Sequence, residues 1–147
     1  MPEERLGRGA VPTLSLSHNL LLSRKDALGA GGWIRVGALK AQAADIIARY
    51  KVKANGPDAA AKSLSGGNLQ KFIVGREIEA KPKLLILDEP TSVLTPQAVE
   101  KLFVVLRKLA AEGCSILYIS HKLHEIRELC TACTVLRGGQ VLSLIHI

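Results

Sequence analysis

Apolar positions Leu39, Ala43, Ile46 and Ile47 recur at helical spacing and predict an amphipathic helix from Ala38 to about Tyr50. Asn55-Gly56-Pro57-Asp58 then reads as a turn. A second helix is expected from Ser65, whose hydroxyl suits an N-cap, through Phe72, Ile73 and Ile78, with Pro82 barring continuation. Leu84 to Leu87 is a short continuous apolar run, the pattern of a buried parallel strand. Thr95 and Pro96 offer a cap and a first-turn proline to a helix carrying Val99, Leu102, Phe103, Leu106 and Leu109, and Gly113 stands where the chain should leave it. Ser115 to Ile119 reads as a second buried strand, His121 to Leu129 as a further helix, and residues 134–142 as a hairpin turning at Gly138-Gly139. Ahead of all this, the first thirty-odd residues, with Gly29-Ala30-Gly31-Gly32-Trp33, read as loop with short helical pieces. Strand, helix, strand, helix, strand implies an α/β architecture with a mainly parallel sheet.

Composition narrows the class. Hydrophobic residues make up 48% and charged residues 22% of the 147, a globular balance that excludes disorder, and the 3% aromatics leave the core to Leu, Ile, Val and Ala. The net charge of +7 permits an acidic partner such as nucleic acid, nucleotide or lipid headgroups. The basic residues are scattered among acidic ones without a run of interleaved aromatics, so the charge reads as solvated surface and no nucleic-acid partner is expected. No apolar stretch reaches the roughly 18 residues of a membrane span, and Met1-Pro2-Glu3-Glu4-Arg5 does not resemble a secretory signal, so a cytosolic location is expected. Three cysteines do not suggest a disulfide framework. Cys130-Thr131-Ala132-Cys133 has half-site spacing but lacks the four ligands of structural zinc, and reads as structural.

Three segments carry chemistry. Leu64-Ser65-Gly66-Gly67-Asn68-Leu69-Gln70-Lys71 brings a hydroxyl and unpaired backbone N–H groups to a helix start, where the dipole favours a phosphate; the plain alternative is a cap and turn without ligand. Asp88-Glu89-Pro90 puts two carboxylates at the C-terminal end of a buried strand, where open α/β sheets bind ligands. There Asp88 could hold Mg²⁺ and Glu89 polarise an attacking water, or both could simply terminate the strand in an acidic turn. His121, after the next strand, could contact a γ-phosphate, or be a helix cap or surface residue.

Taken together, these segments resemble the ATP-binding cassette (ABC) ATPase family: residues 64–71 its signature, residues 84–89 its Walker B with the catalytic glutamate, His121 its switch histidine, in the family's order and separation. The resemblance implies a partial P-loop NTPase with a helical subdomain. It also implies ATP and Mg²⁺, Glu89 and His121 as catalytic residues, Asp88 toward the metal, and Ser65, Gly66, Gly67 and Gln70 toward nucleotide. Glu3 would stand at the Q-loop position, where most ABC proteins place glutamine. Residues 1–82 would hold the Q-loop, helical subdomain and signature, and residues 83–141 the Walker B and switch part of the ATPase core.

The wording is closest to importers of sugars or nucleosides with tandem cassettes, working with a second cassette and transmembrane permease subunits on the inner face of the plasma membrane. Residues 2–5 and 66–71 resemble the second cassette of such subunits, and residues 88–97 the first, with Thr95 where the D-loop aspartate usually lies. A join between Gly75 and Pro90, from a recombinant gene or an assembly error, would account for that order. No Gly-x-x-x-x-Gly-Lys-Ser/Thr motif occurs in these residues, so the chain is expected to start after that loop and, alone, to be inactive toward ATP. Residues 142–147, Leu-Ser-Leu-Ile-His-Ile, match one translation frame of a transposon-based sequencing adapter and are expected to be a non-native tail, the alternative being a strand that ends the hairpin. Two other readings are a nucleic-acid-associated ABC ATPase, which would need a coiled coil before the signature, and a non-functional truncated product.

Overall fold

The computed structural model describes Gly7, residues 9–23 and residues 33–147. Glu3 and the glycine run from 29 to 32 lie outside the described residues. Helix α1 (Leu16–Asn19) passes into a single 3-10 turn, Leu20–Leu22, the short helical pieces expected of this region. Asn19 is fully buried and holds the preceding loop: its side-chain oxygen accepts the Val11 N–H at 2.8 Å and its amide donates to the carbonyls of Val11, Leu14 and Ser15.

Helix α2 (Val36–Arg49) buries Leu39, Ala43 and Ile46, and helix α3 (Gly66–Glu79) follows a 3-10 turn at Ala61–Ser63. Strand β1 (Leu84–Asp88), helix α4 (Pro96–Ala111), strand β2 (Ser115–Ile119) and helix α5 (Leu123–Leu129) complete the α/β part. Strands β1 and β2 pair in parallel from Leu84↔Ser115 to Asp88↔Ile119. Gly113 ends α4 at φ +92, a conformation glycine adopts without steric cost.

Strands β3 (Ala132–Arg137) and β4 (Gln140–His146) form an antiparallel hairpin that, among the described residues, stays separate from β1 and β2. The parallel part of the sheet is thus one pair of strands. Gln140, Val141 and residues 143–146 pair with β3, from Arg137↔Gln140 at the turn to Ala132↔His146 at the open end, with an irregularity between Val135 and Leu136.

Two apolar clusters divide the molecule. Leu16, Leu20, Leu39, Ala43, Ile46, Leu69, Phe72 and Ile73 pack in the helical part. Val74, Ile78, Leu85, Leu87, Leu102, Phe103, Leu106, Tyr118 and Ile126 pack between the strand pair and its helices. Helix α3 serves both, so its apolar residues run around the helix instead of forming one stripe. Tyr50, at the end of α2, packs against both clusters. Only one face of the strand pair is covered among the described residues: Leu85, Leu87 and Tyr118 are buried, whereas Leu84, Ile86, Leu117 and Ile119 are between 43% and 56% exposed.

Candidate functional site

Parallel pairing brings the C-terminal ends of β1 and β2 side by side, and with them Asp88, Glu89 and His121. The Glu89 N–H donates to the Ile119 carbonyl at 3.0 Å, extending the ladder one residue past β1. Glu89 then turns at φ +42, a left-handed conformation that costs a side-chain-bearing residue about 1–3 kcal/mol. The turn aims its carboxylate at the β2 exit. One oxygen, Oε1, accepts both the His121 N–H at 2.9 Å and His121 Nδ1 at 2.7 Å. A carboxylate oxygen only accepts, so the ring nitrogen that faces it, Nδ1, carries a proton. The second oxygen, Oε2, is buried and has no hydrogen-bond partner among the described residues. A buried carboxylate oxygen left without a donor is costly, and marks a place for a small polar guest.

His121 lies ahead of α5, which begins at Leu123, because its backbone and ring are both committed to Glu89. The imidazole is 77% exposed on the side chain while the Glu89 carboxylate is 14% exposed, so the histidine stands between glutamate and solvent. Asp88, half-buried as the last residue of β1, adjoins this pair. No group of three His, Cys, Asp or Glu side chains among the described residues could enclose a metal ion. Asp88 fits a cation held by one carboxylate together with phosphate and water oxygens, the usual manner of Mg²⁺.

The signature-like segment forms the start of α3. Ser65 occupies the N-cap position, but its hydroxyl accepts the Asn68 side-chain amide at 2.9 Å in place of a helix N–H. Asn68 is fixed in turn by accepting the Lys53 N–H at 3.0 Å. The first turn keeps its N–H groups without a side-chain cap, and Ser65 and Gly66 are exposed beside them. Gly67 approaches the next loop closely: a Cβ there would stand 3.2 Å from the Val93 carbonyl oxygen. Gln70 faces the interior, 1% exposed, and its amide donates to the Pro90 carbonyl at 3.0 Å. Its observed contact is with the loop after Glu89, so helix α3 is pinned to the strand-end turn from within.

A buried group that the sequence did not single out lies beneath the strand ends. The Glu125 carboxylate, on α5, is 2% exposed. It accepts the Tyr118 hydroxyl at 2.6 Å, the Thr91 hydroxyl at 2.8 and 2.9 Å on its two oxygens, and the Ser120 hydroxyl at 3.4 Å, and it pairs with Lys122 at 3.3 Å. Burial pushes its pKa up, but the donors Tyr118, Thr91 and Lys122 together outweigh burial and hold it below the usual carboxylate value. Burial, reinforced by the bond to Glu125, raises Tyr118 well above an ordinary phenol. Periodicity hides such a residue, since Glu125 shares a helix face with Ile126 yet is polar. The available signal was local: a cluster of Ser120, Lys122 and Glu125 around a strand exit.

The family profile described as ABC transporter matches residues 5–92. Curated relatives include the Uncharacterized ABC transporter ATP-binding protein YphE of Escherichia coli K12, 31% identical over 99% of this chain and 29% of its own length. Two others are Ribose import ATP-binding protein RbsA of Geobacillus kaustophilus, 36% identical over 90% of this chain and 27% of its own, and RbsA 1 of Rhizobium johnstonii, 37% over 88% and 25%. The chain therefore spans a quarter to three tenths of the length of these relatives. Among solved structures, an ATP-binding subunit of an ABC transporter superposes with TM-score 0.76 at 22% identity, over 99% of this chain and 57% of that one. An ATP-binding cassette dimer in a post-hydrolysis state with ADP and Pi gives 0.75 at 18%, over 96% and 60%. At these identities the structural likeness establishes the fold, that of an ABC ATPase cassette.

Proposed function

Since the chain belongs to the ABC transporter ATP-binding family, we propose that it forms the signature and hydrolytic part of a cassette whose ATP hydrolysis drives import of a sugar. Ribose import is the function named for two of the relatives above, and a nucleoside remains the alternative cargo. The observation that carries the reading is the Glu89 carboxylate: strained backbone, one oxygen tied to His121, the other buried without a partner.

In this reading Glu89 Oε2 accepts a proton of the attacking water and orients it toward a γ-phosphate. His121, with Nδ1–H held by Glu89, turns Nε2 outward toward the same phosphate, and it would donate there once protonated. Asp88 would hold Mg²⁺ through an oxygen, directly or through water, and the ion, bound with the nucleotide, would supply charge neutralisation on the phosphates. Ser65, Gly66 and Gly67 present hydroxyl and N–H groups to nucleotide on a second cassette. Gln70 acts one step back, holding the Pro90 carbonyl. Among the described residues no helix is long and apolar enough to cross a membrane, so coupling to transport would run through permease subunits, with the cassette peripheral on the inner face of the membrane.

The nucleic-acid alternative draws no support from the helices, since α2 has 14 residues where a coiled coil before the signature would need several heptads. The test is ATP turnover by this chain joined to an upstream segment bearing a Gly-x-x-x-x-Gly-Lys-Ser/Thr loop. Hydrolysis should appear in the joined protein and be absent from the 147 residues alone. Glu89→Gln should lower it by about 10²–10⁴-fold while leaving ATP binding intact. Undiminished turnover in that variant would refute the assignment of Glu89.

A further inference from the structure

Glu125 joins the two exit loops from beneath, beside the Glu89–His121 contact that joins them at the surface. Thr91 comes two residues after Glu89, on the β1 exit loop; Ser120 and Lys122 flank His121 on the β2 exit, and Tyr118 lies in β2 itself. All four bring donors to one buried carboxylate, and the Lys122 ammonium also reaches the Thr91 hydroxyl at 3.0 Å. Helix α5 is anchored by Ile126, which packs in the same apolar cluster as Leu87 and Phe103, so the carboxylate has a rigid base.

We propose that Glu125 is a positioning residue: it clamps the Thr91 loop to the Ser120–Lys122 turn and thereby sets the distance and orientation of the Glu89–His121 pair. The proposal deepens the hydrolytic reading of that pair and rests on it, though the clamp itself can be observed without nucleotide.

The physical need for the clamp lies in Glu89. Its left-handed backbone is strained, and such a conformation persists only where surrounding contacts over-determine it. The hydrogen bond from Glu89 N–H to Ile119 holds one side of the turn, and Gln70 holds Pro90 on another. Thr91 is the third point, and Glu125 is what Thr91 holds on to. With the carboxylate removed, the Thr91, Tyr118 and Ser120 hydroxyls lose their common acceptor and the Lys122 ammonium its counter-charge. The turn can then relax toward a lower-energy backbone, swinging the Glu89 carboxylate off the His121 ring. A glutamine keeps the shape and one carbonyl acceptor, so Glu125→Gln should preserve more of the geometry than Glu125→Ala.

The experiment is the ring-nitrogen spectrum of the full chain labelled with ¹⁵N-histidine, the His121 signals being assigned with His121→Gln. Wild type should show His121 as a fixed Nδ1–H tautomer, with well separated protonated and unprotonated nitrogens. Glu89→Ala, which leaves no acceptor, and Glu125→Ala should both lose that separation toward the averaged pair of exposed His124, and Glu125→Gln should retain most of it. Leu106→Ala, a destabilising change in the buried core, should leave it intact. Thr91→Val and Tyr118→Phe, each removing one donor, give a graded partial loss and serve if Glu125→Ala does not fold. If Glu125→Ala, or both of these milder variants, matched Leu106→Ala while Glu89→Ala collapsed the separation, the clamp would be refuted. An unchanged spectrum in Glu89→Ala would refute it too, by removing the pair it positions. Absence of ATP turnover in the upstream-joined protein, with the spectral changes as expected, would overturn the hydrolytic reading alone.

Discussion

Gly75 sits in the middle of α3 where the helix meets α2 and Tyr50, at the joint between the two apolar clusters. A Cβ added there would stand 2.7 Å from Tyr50 Cδ2, 2.9 Å from Tyr50 Cγ and 3.0 Å from Ile46 Cγ2. The ring cannot simply swing away. Its hydroxyl donates to Glu79 at 3.2 Å, and Ile46 behind it is 1% exposed. Three contacts this short put the overpacking toward the upper end of its usual range, about 3 kcal/mol. Replacing a mid-helix glycine with alanine offsets about 1 kcal/mol of that through helix propensity. Gly75→Ala should therefore destabilise the chain by about 2 kcal/mol, lowering the melting temperature by roughly 5–8 °C.

The control is Gly37→Ala in the first turn of α2, where a Cβ would meet nothing within 4 Å; it should be neutral or stabilising by up to about 1 kcal/mol. Urea unfolding of both variants at one pH measures the difference directly. Equal midpoints for the two would refute the reasoning, because propensity would then outweigh a contact that the packing makes severe.

Three further outcomes follow from buried polar groups. Glu125 titrates below its unfolded value, so its stabilisation is fully present above about pH 4.5 and is lost as pH falls through the folded-state pKa; melts across the acid range should be flatter for Glu125→Gln than for wild type. Tyr118 is raised instead, so neutral phenol is favoured in the folded chain and stability should fall as pH rises above about 10, less steeply in Tyr118→Phe. Arg76 is 4% exposed, donates to the Gly9 and Asn19 carbonyls at 3.0 and 3.1 Å, and pairs with Glu77 at 2.6 Å. Arg76→Met should cost about 2–4 kcal/mol by denaturant unfolding and loosen residues 9–19 to amide hydrogen exchange before the rest of the chain.

Local chemistry already determined much of this protein. Apolar period and breakers specified the spans of α2, α3, α4 and both strands to within a few residues, but the full burial expected of the strands is not met among the described residues, where only one face is covered. Asp88, Glu89 and His121 were legible as strand-exit residues, and parallel pairing of β1 with β2 duly brings Glu89 and His121 to 2.7 Å. Folding decided what spacing cannot carry. Ser65 lost its capping role to Asn68, and Gln70 turned inward to Pro90, because each found a partner distant in sequence or competing in space. His121 left the helix predicted for it, since Glu89 offered its N–H and ring a better acceptor than a helical turn could. Glu125 showed in the sequence only as an acidic residue near Ser120 and Lys122 at a strand exit; it acquires meaning when Thr91, 34 positions earlier, arrives at the same carboxylate. Hydrogen-bond partners across a fold are set by tertiary packing, and no local rule encodes them.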